Sequence, residues 1–145
     1  MQIIKHPNKI LHQKLKGVKE VTPKIKELIL GMRKKMVESQ GVGLAANQVG
    51  QDLAIFVIDK KLAEENSVPD AFINPEITEY SKDKTEMEEG CLSLPDYWIP
   101  VSRAKKIKIK ALDENGNKIK IKARGFLARV LQHETDHLNG VLIKK

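Results

Sequence analysis

The chain has little of what usually pins a small protein together from outside its core. Cys91 is the sole cysteine among 145 residues, so no internal disulfide can form, and a reducing compartment, the cytoplasm, is the expected setting. Aromatic residues are only 4% of the sequence, there is no arginine-rich tract, and no RNA-recognition motif is present. Specific nucleic-acid recognition is therefore not expected. No apolar run approaches the ~20 residues a helix needs to cross a bilayer, so no membrane association is expected. The opening stretch MQIIKHPNKILHQKLKG has neither a long apolar block nor a small-residue cleavage site, and a secretory signal is not expected. Repeats and Pro/Gly/Ser linkers are also missing, which leaves one domain over residues 1–145.

What is present suits a single hydrophobic core: 41% hydrophobic and 31% charged residues, a balance that excludes global disorder. The 26 Lys and Arg against 19 Asp and Glu give a net charge of +7. Such a charge suits an acidic partner such as RNA or a ribosome surface, but a solvated lysine-rich exterior explains it more simply.

Periodicity locates several elements. Thr22 can cap a helix running to Gln40, Pro23 suits its first position, and Ile25, Leu28, Ile29, Met32 and Met36 recur at helical spacing, with Gly41 as the stop. Leu53 to Asp59 reads as a buried strand, and AFINPEITEY as a strand broken near Pro75. Ile107 and Ile109, the turn residues Asn115-Gly116, and Ile119 and Ile121 describe a hairpin with lysines facing water. Gly125 to Asn139 is a helix with Phe126, Val130, His133 and His137 on one face and Gly140 as its stop. Helices at either end with strands between them predict an α+β fold: antiparallel strands packed around a C-terminal helix, with an N-terminal helix beside them.

The chemistry concentrates in His133-Glu134-Thr135-Asp136-His137, an H-E-x-x-H pattern on the last predicted helix. Residues four apart lie one turn above each other, so both imidazoles can reach one metal ion. Glu134 is placed to handle the proton of a metal-bound water. A catalytic centre needs a third protein ligand, and the sequence after His137 holds no further His or Glu. Cys91, in Glu88-Glu89-Gly90-Cys91-Leu92-Ser93, is the upstream candidate. Gly41-Val42-Gly43-Leu44-Ala45-Ala46-Asn47-Gln48 adds small residues that let a backbone approach a ligand, and Gln48 adds an amide donor. Asp136 can orient a histidine or brace the helix. His6 and His12 lie outside every motif.

GVGLAANQ, EGCLSLP and QHETDHLNG, in this order, resemble the three motifs of peptide deformylases, and the likeness runs over nearly the whole chain. The resemblance implies a hydrolase that removes the N-formyl group from the N-terminal methionine of new polypeptides. It implies one divalent metal ion, commonly Fe2+, with Zn2+, Ni2+ or Co2+ able to substitute. Cys91, His133 and His137 would be the ligands and Glu134 the general acid/base. Gln48 and the backbone N–H of Leu92 would hold the formyl oxygen, and Gly43 would offer backbone contact. Val42, Phe126, Arg129 and Val130 would border the methionine pocket with Glu89 and His133 nearby, and Arg103 would have a structural role.

Two departures from the family pattern touch no ligand: Asn47 stands where proline is frequent, and Thr135 replaces a common apolar residue. The sequence also ends five residues after Gly140, whereas many bacterial members continue into a helix that contacts the ribosome. Docking through such a helix is not expected, and weak ribosome association would fall to the basic surface. Two rivals fare worse. A zinc peptidase would place a third His or Glu on or after the motif helix, and an RNA-binding module leaves the paired histidines without a purpose.

Overall fold

Seven strands and three α-helices make up residues 1–143, the part of the chain that the computed structural model describes. The chain opens with a short 3₁₀ turn, Lys9–His12, and then enters α1, Pro23–Glu38. Thr22 caps α1 as expected, its hydroxyl accepting from the Ile25 N–H at 3.2 Å. The stop differs from expectation. Gln40, with φ 57, takes the left-handed position, and the Gly41 N–H then closes on the Met36 carbonyl at 3.0 Å. Gly41 is needed for another reason, because a Cβ there would lie 2.8 Å from Leu92 Cδ1.

After α1 come β1 (Gly43–Ala45), a 3₁₀ turn over Ala46–Val49, β2 (Ile55–Ile58) and α2 (Lys60–Glu65). The predicted strand from Leu53 to Asp59 is thus shorter at both ends. Asp59 leaves it to cap α2, accepting from the Leu62 N–H at 3.0 Å. β3 (Ala71–Tyr80) runs through Pro75 rather than ending there, but its pairing register shifts between Ile73 and Glu76, where Asn74 adopts φ 51. The proline therefore interrupts the ladder without ending the strand, because a bulge absorbs its missing N–H.

β4 (Lys84–Cys91) and β5 (Leu94–Ala104) form a long hairpin of their own. β6 (Lys106–Leu112) and β7 (Lys118–Arg124) form the predicted alternating hairpin. Its turn is wider than an Asn-Gly pair: Asp113 Oδ1 accepts from the N–H groups of Asn115 and Asn117, and only Gly116 has positive φ. The last helix, α3 (Gly125–Leu138), is followed by Gly140 at φ 75, as its predicted stop requires. Lys144 and Lys145 lie outside the described residues.

The strands are antiparallel throughout, in one sheet ordered β1-β2-β3-β6-β7 and a second made of β4 and β5. α3 touches β1, β2, β3, β5, β6 and β7, so both sheets wrap the motif helix. This is the predicted α+β arrangement. Ile55, Phe56, Val57 and Ile58 are all buried, which requires cover on both faces of β2, and both α1 and α3 contact it. The core joins Ile29, Met32 and Met36 of α1 to Leu127, Ala128 and Leu131 of α3. Among the described residues no helix is long and apolar enough to cross a membrane.

Candidate metal centre and active site

Burial of α3 between the two sheets fixes which way its polar residues point. His133 and His137, one turn apart, bring their Nε2 atoms to 3.2 Å. β4 delivers Cys91 to the same spot, with Sγ 3.3 Å from His137 Nε2. The register of the β4–β5 hairpin shifts between Glu89 and Cys91, and this irregularity surrounds Gly90, where a Cβ would lie 2.7 Å from the Trp98 ring. Together the donor atoms of Cys91, His133 and His137 lie within 4.8 Å of one another.

Glu89 organises this point from behind. Its carboxylate accepts from His133 Nδ1 at 2.8 Å, from Arg103 Nε and Nη2 at 2.8 and 2.9 Å, and from Arg129 Nη1. Burial would raise the Glu89 pKa, but the hydrogen bonds from His133 and Arg103 outweigh it and hold the value at about 2. A carboxylate can only accept, so Nδ1 of His133 carries the proton and Nε2 is the atom turned toward Cys91 and His137. Burial also opposes charging of His133, yet its hydrogen bonds to Cys91 and Glu89 push its pKa up to about 10. Three convergent donors that would otherwise share a proton suit a divalent cation in its place. A thiolate with two imidazoles is a borderline-soft set that accepts zinc, iron, nickel or cobalt. The residues present fit a metal ion.

Glu134 points elsewhere. It is 4% exposed and lies against Gly43, where a Cβ would come 2.5 Å from its Oε2. Its Oε1 is buried with no hydrogen-bond partner among the described residues. Burial raises its pKa to about 7, against the lowering pull of His133 and Arg103. His137 moves the opposite way: burial and then the nearby charge of His133 hold its pKa well below the ordinary value.

Gln48 sits in the 3₁₀ turn after β1. Its Oε1 accepts from the Ala45 N–H at 2.9 Å, and its Nε2 donates to Ser93 Oγ at 3.1 Å and toward Cys91 Sγ at 3.6 Å. Ser93, which sequence reasoning did not single out, donates to the Ile4 carbonyl at 2.6 Å and ties this turn to the N-terminal segment. Asn47 matters more than its departure from the family pattern suggested. It is fully buried, and its Nδ2 donates to the His137 carbonyl at 2.7 Å. Asp136 braces the helix rather than a histidine, through a 2.7 Å bond from Arg103 Nη1. His6 and His12 meet each other at 3.1 Å away from the donors.

A cavity of about 610 Å³ opens over this cluster. Eleven of the twelve site residues named from the sequence border it, and His137 lies behind them. Val42, Phe126 and Val130 supply apolar wall, with Gly43 and Leu92 beside Cys91. Glu89 and Arg129 also reach it, although both are buried: Arg129 spends further donors on the carbonyls of Val101 at 3.0 Å and Thr85 at 2.7 Å. β5 adds Leu94 and Pro95, which end the second motif, together with Asp96 and the exposed Trp98; the sequence alone gives none of the four a role.

The family model for polypeptide deformylase matches residues 1–145. Peptide deformylase 1 of Clostridium perfringens is 52% identical over 135 residues, covering 93% of this chain and 89% of that protein. The peptide deformylase of Psychrobacter cryohalolentis is 46% identical over 142 residues, covering 98% and 76%. The crystal structure of the Ehrlichia chaffeensis peptide deformylase in complex with actinonin aligns with a TM-score of 0.90 at 40% identity, over 98% of this chain and 85% of that one.

Proposed function

The chain belongs to the polypeptide deformylase family, and from that membership and the chemistry of the cavity we infer how its residues share the work. It is an enzyme, a metal-dependent hydrolase that removes the N-formyl group from the N-terminal methionine of newly made polypeptides and releases formate. The observation that carries the division of labour is the meeting of Cys91, His133 and His137 at a cavity whose inner wall holds a buried, unpartnered carboxylate, Glu134. One catalytic domain accounts for residues 1–145.

Cys91, His133 and His137 hold the ion, which we assign as Fe2+, with Zn2+, Ni2+ and Co2+ as substitutes for the same donors. When bound, it supplies Lewis acidity and lowers the pKa of water in its shell from 15.7 toward roughly 7. Glu89 and, through it, Arg103 and Arg129 fix the ring of His133 so that Nε2 faces the ion. Glu134, with a pKa of about 7, takes a proton from water at neutral pH as the oxygen adds to the formyl carbon. Charge then builds on the formyl oxygen, where the Leu92 N–H and the Gln48 amide stabilise it. One such donor is typically worth ~3 kcal/mol. The carbon–nitrogen bond breaks, Glu134 returns its proton to the amine, and formate leaves. Val42, Phe126 and Val130 receive the methionine side chain, with Gly43, Glu89 and Arg129 completing that wall.

Release of formate from a formyl-Met peptide, measured before and after chelation and again after each metal is restored, tests this reading. Metal-loaded protein that leaves formyl-Met peptides intact while cutting internal peptide bonds would overturn it. The substrate is a nascent chain, so we place the enzyme in the cytoplasm, in weak association with the ribosome through its basic surface.

A further inference from the structure

The outward face of the β6–β7 hairpin has an arrangement that the fold does not need. Its inward positions, such as Ile107, Ile109 and Ala123, pack into the core. The outward ones carry Lys106, Lys108 and Lys110 on β6 and Lys118, Lys120, Lys122 and Arg124 on β7, all exposed. Register sets them directly opposite each other: Lys106 faces Arg124, Lys108 faces Lys122, and Lys110 faces Lys120. Like charges opposed across an antiparallel pair repel and destabilise it. β3 answers along one edge only, with Glu79 on Lys108 at 2.9 Å and Glu76 on Lys110 at 3.0 Å. Among the described residues, Lys106, Lys118, Lys120, Lys122 and Arg124 have no carboxylate partner. Seven cations against two carboxylates place an excess of five charges here, most of the +7 of the whole chain.

The chemistry of the face narrows its partner. Apart from Leu112, which faces Lys118 at the hairpin's end and packs partly against the core, every outward position of the two strands is a cation, so the face offers nothing to insert into a membrane or anchor in a protein pocket. Nor is there an aromatic platform on which unpaired bases could stack. Along each strand the cations repeat every second residue, roughly 6.7 Å apart, in two rows ~5 Å apart. A rigid two-row array of point charges suits phosphate groups held at regular intervals, contacted without reading sequence. We propose that the outward face of the β6–β7 hairpin docks on the phosphate backbone of double-stranded RNA. Taking RNA rather than DNA as the polyanion rests on reading the substrate as a nascent chain.

The test is fluorescence anisotropy of a labelled mixed-sequence RNA duplex of about 20 base pairs, titrated with the full chain from about 50 to 300 mM KCl. Four to five phosphate contacts give a slope of log K against log salt of about −4. Replacing Lys118, Lys120 and Lys122 by Gln should flatten that slope by about three. It should also lower affinity at least ~10-fold at about 100 mM salt. The same number of changes elsewhere (Lys24, Lys34 and Lys61 to Gln) should alter neither by more than about a third of that. The hairpin variant should also melt higher than wild type without RNA, since two of its changes, at Lys120 and Lys122, remove charges that face Lys110 and Lys108. The proposal is overturned by a hairpin variant that binds like wild type, by equal losses in both variants, or by a lower melting temperature of the hairpin variant. Polyglutamate or anionic vesicles competing as well as the duplex would overturn it too. Deformylation of a formyl-Met peptide reports on the catalytic reading separately, because the hairpin face holds no residue of the site.

Discussion

Gly43→Ala probes the active site through a single methyl group. A Cβ at Gly43 would stand 2.5 Å from Glu134 Oε2, 2.8 Å from its Cδ and 2.9 Å from its Cγ. Gly43 lies in β1, paired with Ile58, and its backbone is one any residue can adopt, so the clash is the whole effect. Ordinary contact begins near 3.4 Å, so the carboxylate must retreat by roughly 0.9 Å. It has little room, being 4% exposed and enclosed by α3 and β1. A misplacement of about 1 Å in a reacting group can cost ~10²-fold in rate. The expected result is therefore a kcat for formate release about 100-fold lower. Metal content should match wild type, because the three atoms nearest the new methyl group all belong to Glu134 and none to Cys91, His133 or His137. Overpacking of this kind typically costs about 1–3 kcal/mol, or roughly 3–12 °C of melting temperature in a domain of this size. A folded Gly43→Ala protein with wild-type kcat and a lowered melting temperature would refute the argument, since Glu134 would then have moved without consequence. Loss of activity in step with loss of metal would refute it differently, by assigning the damage to the ligands.

Three other substitutions separate the remaining roles. Glu134→Gln keeps the shape of the side chain but removes the carboxylate; activity should fall at least ~10²–10⁴-fold with metal retained, and full activity would send the proton to another carrier. In Cys91→Ser a hard hydroxyl replaces a soft thiolate, so metal should bind more weakly or with altered preference. Stoichiometric metal with normal activity, measured by elemental analysis and formate release, would remove Cys91 from the ligand set. Glu114→Gln tests the clamp in which Arg33 holds Glu114 at 2.8 Å and Asp70 at 2.6 Å. The hydrogen bond from Arg33 holds the Glu114 pKa below 4.5, so its contribution is present above that pH and fades as pH falls through the folded-state value. The pair is partly exposed and screened, so the variant should lose about 1 kcal/mol at neutral pH. The melting-temperature gap should close in acid, and a gap independent of pH would show that the charge is not what matters.

The elements visible in the sequence are those whose burial follows one simple period. α1 buries one stripe, and β6 and β7 alternate isoleucine with lysine, so a period of 3.6 or 2 registers in the residues themselves; α3 is buried on most sides, and the spacing of its two histidines and the glycine after it marked it instead. β4 carries no such signal. Its first five positions, Lys84 to Glu88, are exposed, and its partner β5 contains Pro95 and Pro100, residues that ordinarily argue against a strand. What holds that hairpin is polar and distant in sequence: Glu89 of β4, Arg103 of β5 and Arg129 of α3 meet in one buried cluster. Local periodicity cannot express a contact of that kind.

The same distinction runs through the site. H-E-x-x-H was legible because one helix turn places both histidines, and turn geometry is local. The third donor, Cys91, could be nominated only because the pair was incomplete, and its placement depends on the irregularity at Gly90 and on Trp98, seven residues after the cysteine. The supporting contacts from Ser93 and Asn47 were silent, since an isolated serine or asparagine reads as surface or turn. Their role arises only once α3 is wrapped by the sheet. Asn47 then meets the carbonyl of His137 on the last turn of the helix, and Ser93 meets both Gln48 and the N-terminal segment. Glu134 shows the two levels meeting. Its position next to His133 is a sequence fact. Its pKa near neutrality comes first from burial beside β1, where only a glycine leaves space for the carboxylate. The glycine of the first motif and the glutamate of the third are therefore two halves of one device, although 91 positions separate them in the chain.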